Sequence, residues 1–173
     1  MDLFEAIDKR HSYRGGFLDT PVPRQDLQKI VQAGIQAPSG CNAQTTSFVI
    51  IDDSDIIARV AEILSKPFAA EAKAMIVCVA HHKNVYQDMS FAVEDCAAAV
   101  ENMLLAITAI GYATVWLDGV LRVEKRAEKI AELLNVPGNQ QVRIILPVGV
   151  PATKGTPAEK EPFSKRASFN THG

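Results

Sequence analysis

The stretch from Cys96 to Trp116 limits what this chain can fold into more than any other, and it carries no catalytic side chain. It reads Cys-Ala-Ala-Ala-Val-Glu-Asn-Met-Leu-Leu-Ala-Ile-Thr-Ala-Ile-Gly-Tyr-Ala-Thr-Val-Trp. Up to Ile110, apolar residues fall on nearly every face of a helix, with Glu101, Asn102 and Thr108 as exceptions. A helix apolar all round must be buried. It is too short and too interrupted to span a bilayer, which takes about 20 apolar residues. The small side chains of Ala97, Ala98 and Ala99 allow a second helix to come close, from this chain or from another subunit. Gly111 suits the C-terminal cap, and Tyr112 to Leu117 then reads as a buried strand ending at Asp118-Gly119. Such a helix and strand are scaffold. The chemistry is to be sought where the strand stops.

The chain has 173 residues, enough for one domain that buries roughly two-thirds of its unfolded surface. A net charge of -2 argues against nucleic-acid binding, which needs a basic face. Cys41, Cys78 and Cys96 are odd in number and widely spaced, and two lie in apolar segments. They read as reduced thiols of a cytoplasmic protein, not as a disulfide frame. The first residues form a charged amphipathic helix with no signal-peptide pattern, and no segment reads as a membrane span.

Asp2 with Glu5 makes a capping-box-like start, and Leu3, Phe4 and Ile7 line one face of a first helix ending near Arg10. Pro23 suits the first position of a second helix, whose Leu27, Ile30, Val31, Gly34 and Ile35 face inward; it stops before Pro38. Ser47–Ile51, Ala74–Ala80, Tyr112–Leu117 and Val142–Val150 read as strands. Asp53 or Ser54 caps a helix broken by Pro67, and Glu124–Leu134 reads as an exposed amphipathic helix. Two helices precede the first strand, which speaks against a doubly wound fold and predicts an α+β layer arrangement. Residues 1–150 form the expected domain. From Pro151 to Gly173 the chain has no core-forming pattern; it is either disordered or wrapped on a partner.

Two motifs suggest chemistry, each beside a plainer reading. In Arg10-x-Ser12-x-Arg14, two guanidiniums and a hydroxyl suit a phosphate or other anion. The same residues also suit a solvated helix C-terminus. In Pro38-Ser39-x-x-Asn42-x-Gln44, hydroxyl and amide groups can read a heterocycle edge, or simply make a turn. Adjacent His81 and His82 point to opposite faces and have no further ligand cluster, so no metal is expected. Cys41 has no partner base that would make it a nucleophile. No glycine-rich phosphate loop is present.

In order and spacing these pieces resemble the FMN-dependent nitroreductase family over nearly the whole chain. Arg10-His11-Ser12-Tyr13-Arg14 is similar to that family's Arg-Arg-Ser-x-Arg. Ala37-Pro38-Ser39-Gly40-Cys41-Asn42-Ala43-Gln44 is similar to its Ala-Pro-Ser-x-x-Asn-x-Gln-Pro-Trp, with Thr45-Thr46 in place of Pro-Trp. Asn102 to Ala106, Gly111 to Leu117 and Pro147 to Pro151 continue the likeness. The family's C-terminal Lys-x-Arg stands here as Lys160-Glu161-Pro162, leaving the arginine's role to Lys165 or Arg166.

The resemblance implies a homodimer with two FMN sites at its interface, NADH or NADPH as co-substrate, and a nitroreductase-like fold with a central mixed sheet flanked by helices. It places Arg10, His11, Ser12 and Arg14 on the flavin from one subunit, and Pro38, Ser39, Gly40, Asn42 and Gln44 from the other. Leu117, Asp118 and Gly119 would lie along the ring, Lys160 and Arg166 near the phosphate, and the tail around the partner. The expected reaction is ping-pong two-electron reduction of nitroaromatics, quinones or similar small acceptors, with the flavin N5 and no protein side chain as the catalytic group. Enone reduction, dehalogenation, flavin degradation, a non-catalytic FMN-binding module and a flavin-free dimeric interaction protein are the alternatives.

Overall fold

Strand β2 (Ala74–Ala80) is buried along its whole length, as its uninterrupted apolar run requires. Ala74, Ile76, Cys78 and Ala80 face one core, while Met75, Val77 and Val79 face a second on the other side. This alternation makes β2 the middle of a three-layer molecule. The computed structural model describes residues 1–172. Its sheet runs β1 (Thr46–Ile51), β2, β4 (Gln141–Gly149), β3 (Ala113–Thr114). Helices α2 (Arg24–Ile35) and α5 (Ala92–Ala109) cover one face, and α3 (Ser54–Leu64) and α6 (Arg126–Leu133) cover the other.

The α+β arrangement is as expected, but the sheet of the described residues is antiparallel throughout rather than mixed. Two helices, α3 and the single turn α4 (Pro67–Ala70), separate β1 from β2. The chain therefore re-enters the sheet from the opposite end, where a single crossover helix would have returned it parallel.

Local signals explain most element boundaries. The Asp2 carboxylate accepts from the Glu5 N–H at 2.9 Å and starts α1 (Leu3–Lys9). Asp53, not Ser54, caps α3 through the N–H groups of Asp55 and Ile56. Gly111 takes φ +91° just beyond α5, a conformation that favours glycine. Pro23 flanks α2 instead of opening it. Helix α3 has already ended at left-handed Ser65, so Pro67 begins α4 and breaks nothing.

Further expectations need correcting; Ile35, expected to face inward from α2, is 55% exposed at the helix end. The third strand shrinks to Ala113–Thr114 and touches β4 again only at Leu117, opposite Ile145. Between those contacts Val115 and Trp116 still alternate between the two cores, as strand residues do, but no ladder pair joins them to β4. Strand β1 is half-buried, since it is a sheet edge. Helix α5 buries one stripe, Ala92, Asp95, Cys96, Ala99, Val100, Met103, Leu104 and Ile107. Its opposite side, with Val93 and Ile110, stays uncovered within one chain. Finally, α1 buries only Ala6 and leaves Leu3, Phe4 and Ile7 at 60%, 77% and 47% exposure. Among the described residues no helix is long and apolar enough to cross a membrane.

Candidate functional site

Helix α1 ends where Arg10 turns to extended backbone, and the next residues alternate sides as a strand would. Tyr13 is buried: its N–H donates to Thr114 O at 2.8 Å and its hydroxyl to Gly16 O at 2.6 Å. Ser12 and Arg14 therefore face outward. The chain after Pro151 runs back along this turn, with the Ala152 N–H donating to Gly16 O at 3.0 Å and the Thr153 N–H to the Tyr13 hydroxyl at 3.3 Å.

Between the two strands of chain lies a cleft of about 510 Å³ lined by Arg10, His11, Ser12, Arg14, Glu101 and Lys160. Three cations and a hydroxyl meet there, a donor set matched to phosphate oxygens. The His11 Nδ1 lies 2.9 Å from Lys9 O, while its Nε2 is buried with no partner. That edge of the ring is covered by Gly155, where a β-carbon would fall 2.0 Å from Nε2. Glu101 stands 3.6 Å from Arg10 Nε and is the one carboxylate in this set besides Asp8. The sequence showed Glu101 only as an interruption in the apolar pattern of the central helix.

The second cluster is the loop after α2. Cys41, Asn42 and Gln44 all hold positive φ, at 52°, 52° and 50°. Side chains other than glycine avoid this region, and several such residues together mark stored strain. The loop is stitched from within by Asn42 N–H to Ser39 O at 2.9 Å, Ala43 N–H to Gly40 O at 3.0 Å, and Gln44 N–H to Ser39 Oγ at 3.0 Å. It is anchored from below by Asp95, a residue the sequence reading passed over. Asp95 accepts from the Gly40 N–H at 2.8 Å through Oδ1 and from the Thr45 hydroxyl through Oδ2. Phe91 packs so tightly on Gly40 that a β-carbon would fall 2.4 to 2.8 Å from its side chain, near contact that only glycine allows. Pro38, Asn42 and Gln44 are left facing solvent, with Ser39 and Gly40 half-buried.

The remaining expected positions are placed differently. Leu117 is buried in the core on the α3–α6 side. Asp118 is held by Arg122, at 2.8 and 2.6 Å, and by Arg143. Arg143 is the residue skipped where Cys78 and Val79 pair with Ile144 and Val142, so a bulge in β4 aims it at Asp118. Burial pushes the Asp118 carboxyl up, but the Arg122 hydrogen bonds and the charges of Arg143 and Arg122 outweigh it and hold the group below its ordinary range. Gly119 is exposed at the start of a 3-10 turn, Gly119–Arg122. Lys160 joins the cation cleft, whereas Arg166 sits in the exposed one-turn helix α7 (Phe163–Arg166) and does not line it.

Within one chain the cation cleft and the amide loop thus do not share a cavity: Ser39 and Gln44 border a separate crevice of about 50 Å³ with Asp95 and Phe48. An α+β sandwich carrying an anion cleft and a strained amide loop defines the class. The nitroreductase family model matches residues 7–77 and 64–150, and the chain belongs to that family. It is 31% identical over 156 residues, 88% of its length and 78% of the relative's, to a Methanothermobacter thermautotrophicus protein named provisionally as an NADH dehydrogenase/NAD(P)H nitroreductase. It is 28% identical to a Staphylococcus haemolyticus NADPH-dependent oxidoreductase, over 93% of this chain and 70% of that one. The crystal structure of a Parabacteroides distasonis protein, named in the same provisional way as the first relative, superposes with a TM-score of 0.84 at 29% identity over 98% of both chains. An FMN-dependent nitroreductase from Clostridium difficile shares the fold, with a TM-score of 0.84 at 22% identity over 98% of this chain and 99% of that one.

Proposed function

We propose that the chain is an FMN-dependent oxidoreductase that uses NADH or NADPH to reduce nitroaromatics, quinones or similar small acceptors by ping-pong turnover. The observation that carries this reading is the convergence of Arg10, Ser12, Arg14 and Lys160 on one cleft. The donor set fits FMN. Arg10, Ser12 and Lys160 would take the phosphate and the hydroxylated chain, while exposed Arg14 would reach the pyrimidine edge of the ring. Bound flavin would supply the two-electron chemistry, accepting from the nicotinamide and donating to the acceptor. The protein's share is to bind, orient and exclude water. Arg14 places a fixed positive charge where negative charge grows on reduction.

The second half of the site, Pro38, Ser39, Gly40, Asn42 and Gln44, belongs in this reading to the partner subunit of a homodimer. Exposed apolar side chains support that assembly: Leu3, Phe4 and Ile7 on α1, Val93 and Ile110 on α5, and Phe163 and Phe169 in the tail. In this reading the expected extension 151–173, whose last residue lies outside the described ones, belongs to the same domain, and residues 151–172 lie on the partner. The compartment is cytoplasmic, in keeping with the free thiols of Cys78 and Cys96.

The test is the visible spectrum of the purified protein before and after anaerobic NADH or NADPH. Flavin absorption that bleaches with either nucleotide and returns with a quinone or nitroaromatic supports the enzyme. A colourless sample that ignores added FMN overturns the flavin reading, and bound flavin that neither nucleotide reduces leaves a binding module in its place.

A further inference from the structure

We infer that Asp95 is the positioning residue of the amide loop: it acts through Asn42 and Gln44, holding them in the conformation that meets the flavin. This inference rests on the FMN reading above. Its physical basis is independent of it, since it starts from strain and burial.

Three of the four residues Cys41 to Gln44 sit in the left-handed backbone region, which costs free energy for Cys41 and Gln44 and less for Asn42. The loop's own bonds link Ser39 to Asn42 and Gln44, and Gly40 to Ala43. They tie it into a ring but fix that ring to nothing. Fixing it needs a rigid support beneath, and the structure shows one carboxylate that binds both ends. Asp95 Oδ1 takes the N–H of Gly40 before the strained residues, and Oδ2 takes the hydroxyl of Thr45 after them. Thr45 is itself fully buried, and its carbonyl accepts from the His81 N–H at 2.8 Å, which joins the loop's far end to the end of β2.

The carboxylate is 4% exposed, and among the described residues no ion pair is recorded for it. An unpaired buried carboxylate is expensive, so position and hydrogen bonds must compensate. Asp95 lies in the first turn of α5, an 18-residue helix, where the backbone dipole favours negative charge. The neighbouring stripe residues Cys96 and Val100 are buried in the main core and Ala99 is buried beside them, so Asp95 cannot drift. A polar group at this depth in an otherwise apolar stripe serves the loop above it, because it binds nothing else.

The consequence for the site is pre-organisation. Apparent affinity falls by the fraction of molecules in the binding-competent loop conformation. With the clamp removed, the left-handed residues relax and that fraction drops. Asp95→Ala should therefore weaken FMN binding by roughly tenfold or more. Asp95→Asn should recover most of the loss, since its oxygen still accepts from Gly40 and its amide can donate to the Thr45 hydroxyl. Because Asp95 acts through the loop, its effect and that of Asn42→Ala should overlap and not add.

The experiment titrates FMN with flavin-free protein and follows flavin fluorescence, for wild type, Asp95→Ala, Asp95→Asn, Thr45→Val, Asn42→Ala and the Asp95→Ala/Asn42→Ala pair. Circular dichroism melts accompany each. Weak binding in Asp95→Ala, rescue in Asp95→Asn and a double variant no worse than about the stronger single loss support the inference. Wild-type affinity in a folded Asp95→Ala protein, or losses that simply add, overturns it. If Asp95→Ala does not fold, Thr45→Val cuts one arm of the clamp, and full affinity there overturns it equally. Wild-type protein that leaves FMN fluorescence unchanged is a different failure: it removes the flavin reading, and this inference with it.

Discussion

Gly155 lies against the imidazole of His11 so closely that a β-carbon at that position would overlap Nε2. The chain leaving the sheet is thus fitted to the cation turn, and the cleft wall depends on a residue without a side chain. Gly155→Val should lift the segment around Thr156–Ala158 away from His11 and widen the cleft. Trypsin should then cut faster after Lys154 and Lys160, which flank that segment. Unchanged cleavage kinetics, with His11 intact, would show that the ring simply rotates aside.

Arg10 and Glu101 set the charge of the same cleft. Arg10→Ala removes a charge-assisted contact and should weaken FMN binding by about 1.5–3 kcal/mol. Glu101→Gln should act the opposite way, because a carboxylate 3.6 Å from the Arg10 guanidinium competes with any incoming anion. Its tightening should be largest at low ionic strength and fade as salt approaches about 1 M, where screening is nearly complete at these distances. Fluorescence titration at two salt concentrations decides both.

Arg14, exposed at the cleft, is expected to tune the cofactor rather than retain it. Arg14→Gln should lower the midpoint potential of bound flavin, since the reduced ring loses a neighbouring positive charge. The measurement is a redox titration at full FMN occupancy. An unaltered potential would place Arg14 away from the ring.

Asp118 is a structural residue by its contacts, and its effect should appear in stability. The folded-state carboxyl lies below the ordinary value of 3.8, with the Arg122 bonds and the two arginine charges outweighing burial. Its contribution is therefore fully present above the unfolded pKa and is lost as pH falls from about 3.8 through the lower folded value. Asp118→Asn should lose about 1.5–3 kcal/mol at neutral pH. The variant should also show a flatter acid limb than wild type in urea melts. Equal acid limbs would mean that other carboxylates dominate below that pH.

Legibility in the sequence followed how local each determinant is. Strand β2 could be read to its last residue, because an apolar run between polar ends is sufficient by itself. The cation turn was legible for the same reason: Arg10, Ser12 and Arg14 lie within five positions, and strand-like alternation puts them on one side. Asp95 was not, because it is 55 residues from Gly40 and 50 from Thr45, so only folding shows what it binds. The family resemblance puts Asp118 along the ring, while its ion pair with Arg143 depends on a bulge that leaves no sequence mark. The apolar surface of α1 could not be read either. Leu3, Phe4 and Ile7 have the spacing of a core face, and periodicity does not say whether the core belongs to one chain or two.

That last ambiguity gives the assembly prediction. A monomer would leave α1, one side of α5 and the phenylalanines of the tail in water, more apolar surface than soluble proteins usually carry. The expected form is an obligate homodimer with an interface above about 2,000 Å². Since the cation cleft and the amide loop line separate cavities in one chain, each flavin should draw on both subunits. Complementation tests this directly. An Arg10→Ala chain paired with an Asn42→Ala chain gives a heterodimer with one doubly damaged site and one intact site. The isolated heterodimer should recover about half the wild-type activity per dimer, far above either parent, as expected when independent sites simply add. A heterodimer as inactive as its parents, or an active monomer in sedimentation, would confine each site to a single chain and leave the exposed face of α1 unexplained.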